Sequence, residues 1–306
     1  MHHALGPLPG TSLIDAADVI LGECEILAIP QLPARGTGSD PVGRTSALLP
    51  FNVDAGPRSW QLTNRPQLLT RRVWDRLEQD LDECESVWGT SVATVKVQVM
   101  GPWSLAASLE LPNGHRAITD RGALRDIRVG LAHGVTEHVA DVRTRFNADV
   151  ITQVDEPLLG PIIRGELPGT TQWDTIPAIP ELQLMDCDIL HLAEPLWQVS
   201  APQVFLERAL ICGTANLDGF GALVSRGVRA GLGIPPGRVD ELGEKPRAVA
   251  IELARLWDEL SLSRDLLADV DVYPVGVEKL QLADAGAALH FARAVADMLA
   301  RDAGDL

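Results

Sequence analysis

The feature that most limits what this chain can fold into is a rhythm of short apolar runs, each closed by Gly, Pro or an acidic residue before Pro. Val95–Met100 ends at Gly101-Pro102, and Asp149–Val154 ends at Asp155-Glu156-Pro157. Ile189–Ala193 ends at Glu194-Pro195, Leu210–Cys212 at Gly213, Ala230–Ile234 at Pro235, and Val270–Tyr273 at Pro274. Short segments at His2–Leu5 and Ile26–Ile29 bring the number to about eight. Runs of this kind suit strands that are buried on both faces, as in a parallel sheet covered by helices. Helical stripes fill the gaps. Leu124, Ile127, Leu131, Val135, Val139, Val142 and Phe146 recur at three- and four-residue steps, which makes one apolar face. Leu253, Leu256, Trp257 and Leu260 form a second stripe, and Leu289, Ala292, Val295 and Leu299 a third. Ser12 with Asp15 after it predicts a helix N-cap. The alternation predicts an α/β fold: a single (β/α)8 TIM-type barrel over residues 1–306, with an open doubly wound sheet as the alternative. Gln31–Pro66 is rich in Pro, Gly, Ser and Thr and too long for an ordinary connection. It predicts a loop excursion over the barrel mouth.

Charge narrows the partners. The chain has 26 basic and 42 acidic residues, a net charge of −16. That opposes the phosphate neutralisation on which nucleic-acid binding depends, and attraction to an anionic membrane surface. A small-molecule substrate is the partner left. No apolar run approaches the ~20 residues of a membrane span, and the first residues lack the features of a secretory signal, so a cytoplasmic location is expected. Cys24, Cys84, Cys187 and Cys212 form no C-x-x-C pair and are expected as free thiols. Gly231-x-Gly233 lacks the third glycine of a dinucleotide fingerprint, so no nucleotide cofactor is expected.

In a parallel barrel the chemistry sits at the C-terminal ends of the strands. Asp155 and Glu156 lie there. If the strand persists, Gln153 and Asp155 share one face and Glu156 points elsewhere. Asp155 could hold an ammonium or act as a base; a helix cap or an ion pair with Arg164 is the structural alternative. Trp103 follows Gly101-Pro102, with Ser104 beside it. An indole there could stack on a planar ligand or pack at the rim. His191, with Glu194 three residues on, is a candidate metal ligand or acid/base group, or a structural histidine.

Three pieces occur in order: Gly6-Pro7-Leu8-Pro9-Gly10-Thr11, Val97-Gln98-Val99-Met100-Gly101-Pro102-Trp103 and Gln153-Val154-Asp155-Glu156-Pro157. Together they resemble the catalytic, C-terminal barrel of cobalamin-independent methionine synthase, most nearly its short stand-alone homologues. The resemblance implies a (β/α)8 barrel and methyl transfer from a methylated folate to the thiol of homocysteine. It also implies a zinc ion, which binds that thiol and lowers its pKa. The family's zinc ligands are His, Cys, Glu and Cys. Of these positions, His191 carries the match, while Ala193, Gly213 and Gly276 stand where the others fall. Pro7 replaces a serine that follows the first strand's glycine, Gly6. Asp155 matches the family aspartate that holds the homocysteine ammonium. The resemblance thus makes Asp155, Glu156 and His191 the reacting groups, with Gly6, Trp103, Ser104, Gln153 and Glu194 around the substrate. Two other functions stay open. One is a non-catalytic binding or partner barrel. The other is a metal-free lyase or decarboxylase of the uroporphyrinogen decarboxylase type, in which Arg35 and Arg44 would grip carboxylates.

Overall fold

The computed structural model describes residues 1–56, 58–169, 175–180, 182–240 and 242–306. The chain divides into two compact units, one built from Met1–Leu32 with Asp188–Leu306, the other from Pro33–Cys187. In chain order, the first unit opens with α1 (Leu13–Glu23) and β1 (Leu27–Ala28). The second holds α2 (Pro41–Ser46), β2 (Asn52–Ala55), β3 (Trp60–Thr63), α3 (Leu68–Trp88), β4 (Thr94–Met100), α4 (Pro102–Ser108), β5 (Leu109–Glu110), α5 (Arg121–Phe146), β6 (Asp149–Glu156) and α6 (Leu159–Arg164). The first unit then resumes with β7 (Ile189–Leu192), β8 (Gln203–Glu207), α7 (Thr214–Ser225), β9 (Arg229–Ile234), α8 (Glu244–Glu259), β10 (Asp271–Pro274) and α9 (Leu282–Arg301).

In the first unit β7, β8, β9 and β10 pair in parallel, each with the next. Alternation puts Val204, Leu206, Ala230, Leu232 and Val272 on one face, all buried. The helical stripes supply the matching apolar surface: Leu253, Leu256 and Trp257 on α8, and Leu289, Ala292 and Val295 on α9, are buried. Burying each large side chain contributes about 1.5–3 kcal/mol. Ser12 caps α1, its hydroxyl accepting from the Asp15 amide. The opposite face carries Phe205, Gly231, Gly233 and Tyr273. The Phe205 and Tyr273 rings stack at 5.1 Å. A Cβ at Gly231 would lie 2.1 Å from Phe205, and one at Gly233 2.8 Å from Tyr273. The two glycines therefore exist to let the rings lie against the backbone of β9.

In the second unit β4 and β6 pair in parallel over their whole length, with Gln98 opposite Gln153 and Met100 opposite Asp155. The β4 face holding Val95, Val97 and Val99 is buried. Helix α5, capped by Asp120 and ended by the left-handed Asn147, packs against both strands. A smaller sheet joins β2 to β3 antiparallel and β3 to β5 parallel.

The α/β organisation expected from the sequence is present. Closure by eight strands is not. The segment at His2–Leu5 makes one isolated bridge, His2 with Val272, and Pro7 just beyond it makes another with Gln31. Gly6 turns the chain at a φ of 123°, and Pro7 has no N–H with which to extend a ladder. Seven strands follow the expected βα rhythm among the described residues. Two further expectations are corrected. The strand placed at Leu210–Cys212 lies at β8, and Arg208–Leu210 form a short 3-10 turn. The excursion Gln31–Pro66 is not structureless, since it holds α2, β2 and β3. Among the described residues no helix is long and apolar enough to cross a membrane.

Candidate functional site

The second unit contains a line of polar side chains on a strand pair that is otherwise apolar. Lys96 and Gln153 are fully buried. Lys96 Nζ donates to Gln153 Oε1 at 2.5 Å, and Gln153 Nε2 donates to Asp155 Oδ1 at 2.8 Å. Gln98 Nε2 donates to the backbone carbonyl of Lys96 at 3.2 Å. Strand β6 runs on through Asp155, so Gln153 and Asp155 share a face as alternation requires. Asp155 is half-buried at the C-terminal end of the strand. Arg164, the possible ion-pair partner of Asp155, bonds Glu166 at 2.8 Å.

Glu156 points the other way and serves the fold. Its Oε1 accepts from the Trp103 amide at 3.1 Å, and its Oε2 accepts from the Ser104 amide at 2.8 Å and the Ser104 hydroxyl at 2.6 Å. Ser104 Oγ in turn accepts from the Leu158 amide. The first turn of α4, which has unsatisfied N–H groups, is thus closed by a carboxylate from β6. Burial pushes Glu156 up to about 7, against the pull of its Ser104 and Trp103 donors. The close approach explains Gly101, where a Cβ would meet Glu156 Oε1 at 2.2 Å. Glu156, expected among the reacting groups, and Ser104, expected around the substrate, together cap the start of α4.

Trp103 is buried as well. Its ring is 4% exposed. The indole N–H donates to the Gln183 carbonyl at 3.0 Å, and the Arg128 guanidinium lies 5.2 Å from the ring centre. Arg128 also bonds the Gln183 side chain. Of the two roles expected for this ring, ligand stacking and packing, the contacts seen are those of packing against a chain segment. Arg35 and Arg44, the carboxylate grip of the lyase alternative, both hold the fully buried Asp80 on α3 at 2.5 Å.

In the first unit, His191 lies on β7 opposite Phe205, half-buried and edge-on to Tyr273 with ring centres 6.1 Å apart. The face continues through Phe205 to His3, whose Nε2 bonds Asp271 Oδ2 at 3.0 Å. Asp271 is buried and also accepts from Gln203. Despite its burial, the bonds and charge of His3 hold the Asp271 carboxyl well below its usual range. These groups stand at the N-terminal ends of β8 and β10, where conserving a fold rather than chemistry is the usual business of a parallel sheet. Glu194 is half-buried two residues beyond β7, and Gly6 is buried with its carbonyl accepting from the Gln31 amide.

The residues at the positions where the resemblance implies zinc ligands do not fit that ligand set. Ala193 has no donor atom. Gly213 and Gly276 have φ of 76° and 66°, so their backbone is of the left-handed kind that a ligand side chain would strain. Among the described residues no three His, Cys, Asp or Glu side chains are grouped to hold a metal.

Two residues escaped the sequence analysis. Lys96 carried a signal, since Val95-Lys96-Val97-Gln98-Val99 puts a polar group at every second place of a strand. Glu207 ends β8, two residues past the register partner of His191, and was hidden by the misplaced strand. Comparison with models of known protein families and with curated proteins finds no match.

Proposed function

We propose that this chain binds the amino-acid end of a small aminothiol, with Asp155 receiving its ammonium, and takes part in methyl transfer to the thiol without a tightly held zinc ion. The observation that supports this most is the hydrogen bond from Gln153 to Asp155 at the end of β6. A half-buried carboxylate held by a buried amide is a fixed acceptor, the kind of group that recognises a primary ammonium. The resemblance to cobalamin-independent methionine synthase gives Asp155 that same partner and supplies the reaction. The donor-free glycines at positions 213 and 276 favour a zinc-independent variant, in which a thiol with a free pKa of about 8.5 must be deprotonated without metal help. The lyase alternative loses its support, because Arg35 and Arg44 hold Asp80.

Calorimetric titration with L-homocysteine tests this. Asp155→Asn is expected to weaken binding roughly thirtyfold, the effect of about 2 kcal/mol for one lost partner of a half-buried charge pair. Equal affinity in the variant and the wild type would refute the assignment. Metal analysis of the pure protein with L-homocysteine is expected to find zinc well below one per chain.

A further inference from the structure

The line of side chains from Lys96 to Asp155 has a chemical direction. An ammonium group donates and has nothing with which to accept. Its contact with Gln153 Oε1 therefore decides which end of the amide faces β4. The NH2 end is left to face Asp155, and Nε2 donates to Oδ1. With the amide turned over, NH2 would face the ammonium and the carbonyl would face the carboxylate. The two ends of an amide are nearly equal in size, so packing does not choose between them. The charges at either end do. A buried ammonium is expensive to desolvate, and an apolar side chain would fill the same place on this face of β4 at less cost. The ammonium is thus kept for something other than packing.

We propose that Lys96 is a positioning residue for Asp155: acting through Gln153, it sets the orientation of the carboxylate that receives a ligand ammonium. This rests on the amino-acid-binding role proposed above. Lys96 itself touches Gln153 and is not a catalytic residue. The specificity it confers is for ligands that present a primary ammonium, because the carboxylate is locked as an acceptor.

The test titrates the wild type, Lys96→Met, Asp155→Asn and the double variant with L-homocysteine. Methionine keeps the length and the apolar stem of lysine. Lys96→Met is expected to weaken binding about tenfold, since one of the two charges that direct the amide is gone. In Asp155→Asn the Gln153 NH2 still holds an oxygen at position 155, which turns the new NH2 towards the ligand ammonium. In the double variant Gln153 can turn over, take that NH2 with its own oxygen, and return an oxygen to the ligand. The double variant should therefore bind about threefold tighter than Asp155→Asn alone, a non-additive result. Additive losses, or wild-type affinity in Lys96→Met, would overturn the proposal.

A second measurement needs no ligand. The Gln153 side-chain amide signal in 15N NMR spectra should be protected from exchange in the wild type and lose that protection in Lys96→Met. Fast exchange in the wild type, or equal protection in both proteins, overturns the relay. If the wild type ignores L-homocysteine while the amide signal responds to Lys96→Met, the relay is supported and the amino-acid reading of the site fails. Should Lys96→Met not fold, protection of the amide in the wild type decides.

Discussion

Replacing Gly101 with alanine puts a methyl group where Glu156 already is. The new Cβ would lie 2.2 Å from Oε1 and 2.3 Å from Cδ, where ordinary contact begins near 3.4 Å. The backbone itself is no obstacle, since Gly101 has φ −68° and ψ 157°, which alanine adopts freely. The carboxylate must therefore leave, and three donors at the start of α4 lose their acceptor: the Trp103 amide, the Ser104 amide and the Ser104 hydroxyl. Bonds to a charged acceptor contribute at least ~1.5 kcal/mol each, so the loss is about 4.5 kcal/mol. Alanine returns at most ~1 kcal/mol by restricting the unfolded chain. The net expectation is a destabilisation of about 3.5 kcal/mol, read from urea unfolding at about pH 8, where Glu156 is mostly ionised. Gly22→Ala is the control. It lies exposed in α1, where an added Cβ meets nothing within 4 Å, so it should stabilise by ~0.5–1 kcal/mol. The decisive comparison uses Glu156→Ala as background. With the carboxylate gone, the methyl at position 101 has room, and its penalty should vanish. If Gly101→Ala costs the same with and without Glu156, the clash is not the cause and the reasoning is refuted.

Two further outcomes follow from the second unit. Burial pushes His138 down to about 4 from an ordinary 6.5, with Arg44 adding to the shift and Asp141 opposing it. The folded ring thus stays neutral where the unfolded one protonates, so a contribution on the order of 3 kcal/mol is present above pH 6.5 and lost as pH falls through 4. His138→Gln should flatten the stability profile across that window, and an unchanged slope would contradict the assignment. Asp80→Asn should cost about 3–5 kcal/mol in chemical denaturation, because it strips Arg35 and Arg44 of a fully buried counter-charge. A loss under ~1 kcal/mol would mean that solvent relieves both guanidinium groups.

The βα rhythm was readable because strands covered on both faces and helices covered on one leave different periods in the chain. Strands β4, β6, β7, β9 and β10 lie where apolar runs met Gly or Pro, and the stripes on α5, α8 and α9 are the buried faces. Strand β8 was not readable, because it begins at Gln203 and ends at Glu207 while the apolar Leu210-Ile211 follows and draws the eye. The pair β2 and β3 was hidden for a different reason. Each has four residues with a half-exposed face, and such strands depend on partners rather than on their own pattern. At the site, alternation was enough to separate Asp155 from Glu156. It could not reveal that Glu156 caps α4, since that depends on how a helix sits on a strand. Which of its two roles Trp103 takes was not readable either, because the residue covering it, Gln183, lies 80 positions away in the chain.

The way the first unit is assembled sets a timetable for the chain's birth. His3 finds its partner Asp271 only 268 residues later. At ribosomal speeds of roughly 5–20 residues per second, that is a wait on the order of tens of seconds. The second unit lies wholly inside this interval and has all its own strands before Asp188 is made. During that time α1, whose buried stripe of Leu13, Ala16, Ala17 and Ile20 is answered by α9, has no cover. The partners of α1 in the first unit are thus made only after the whole of the second.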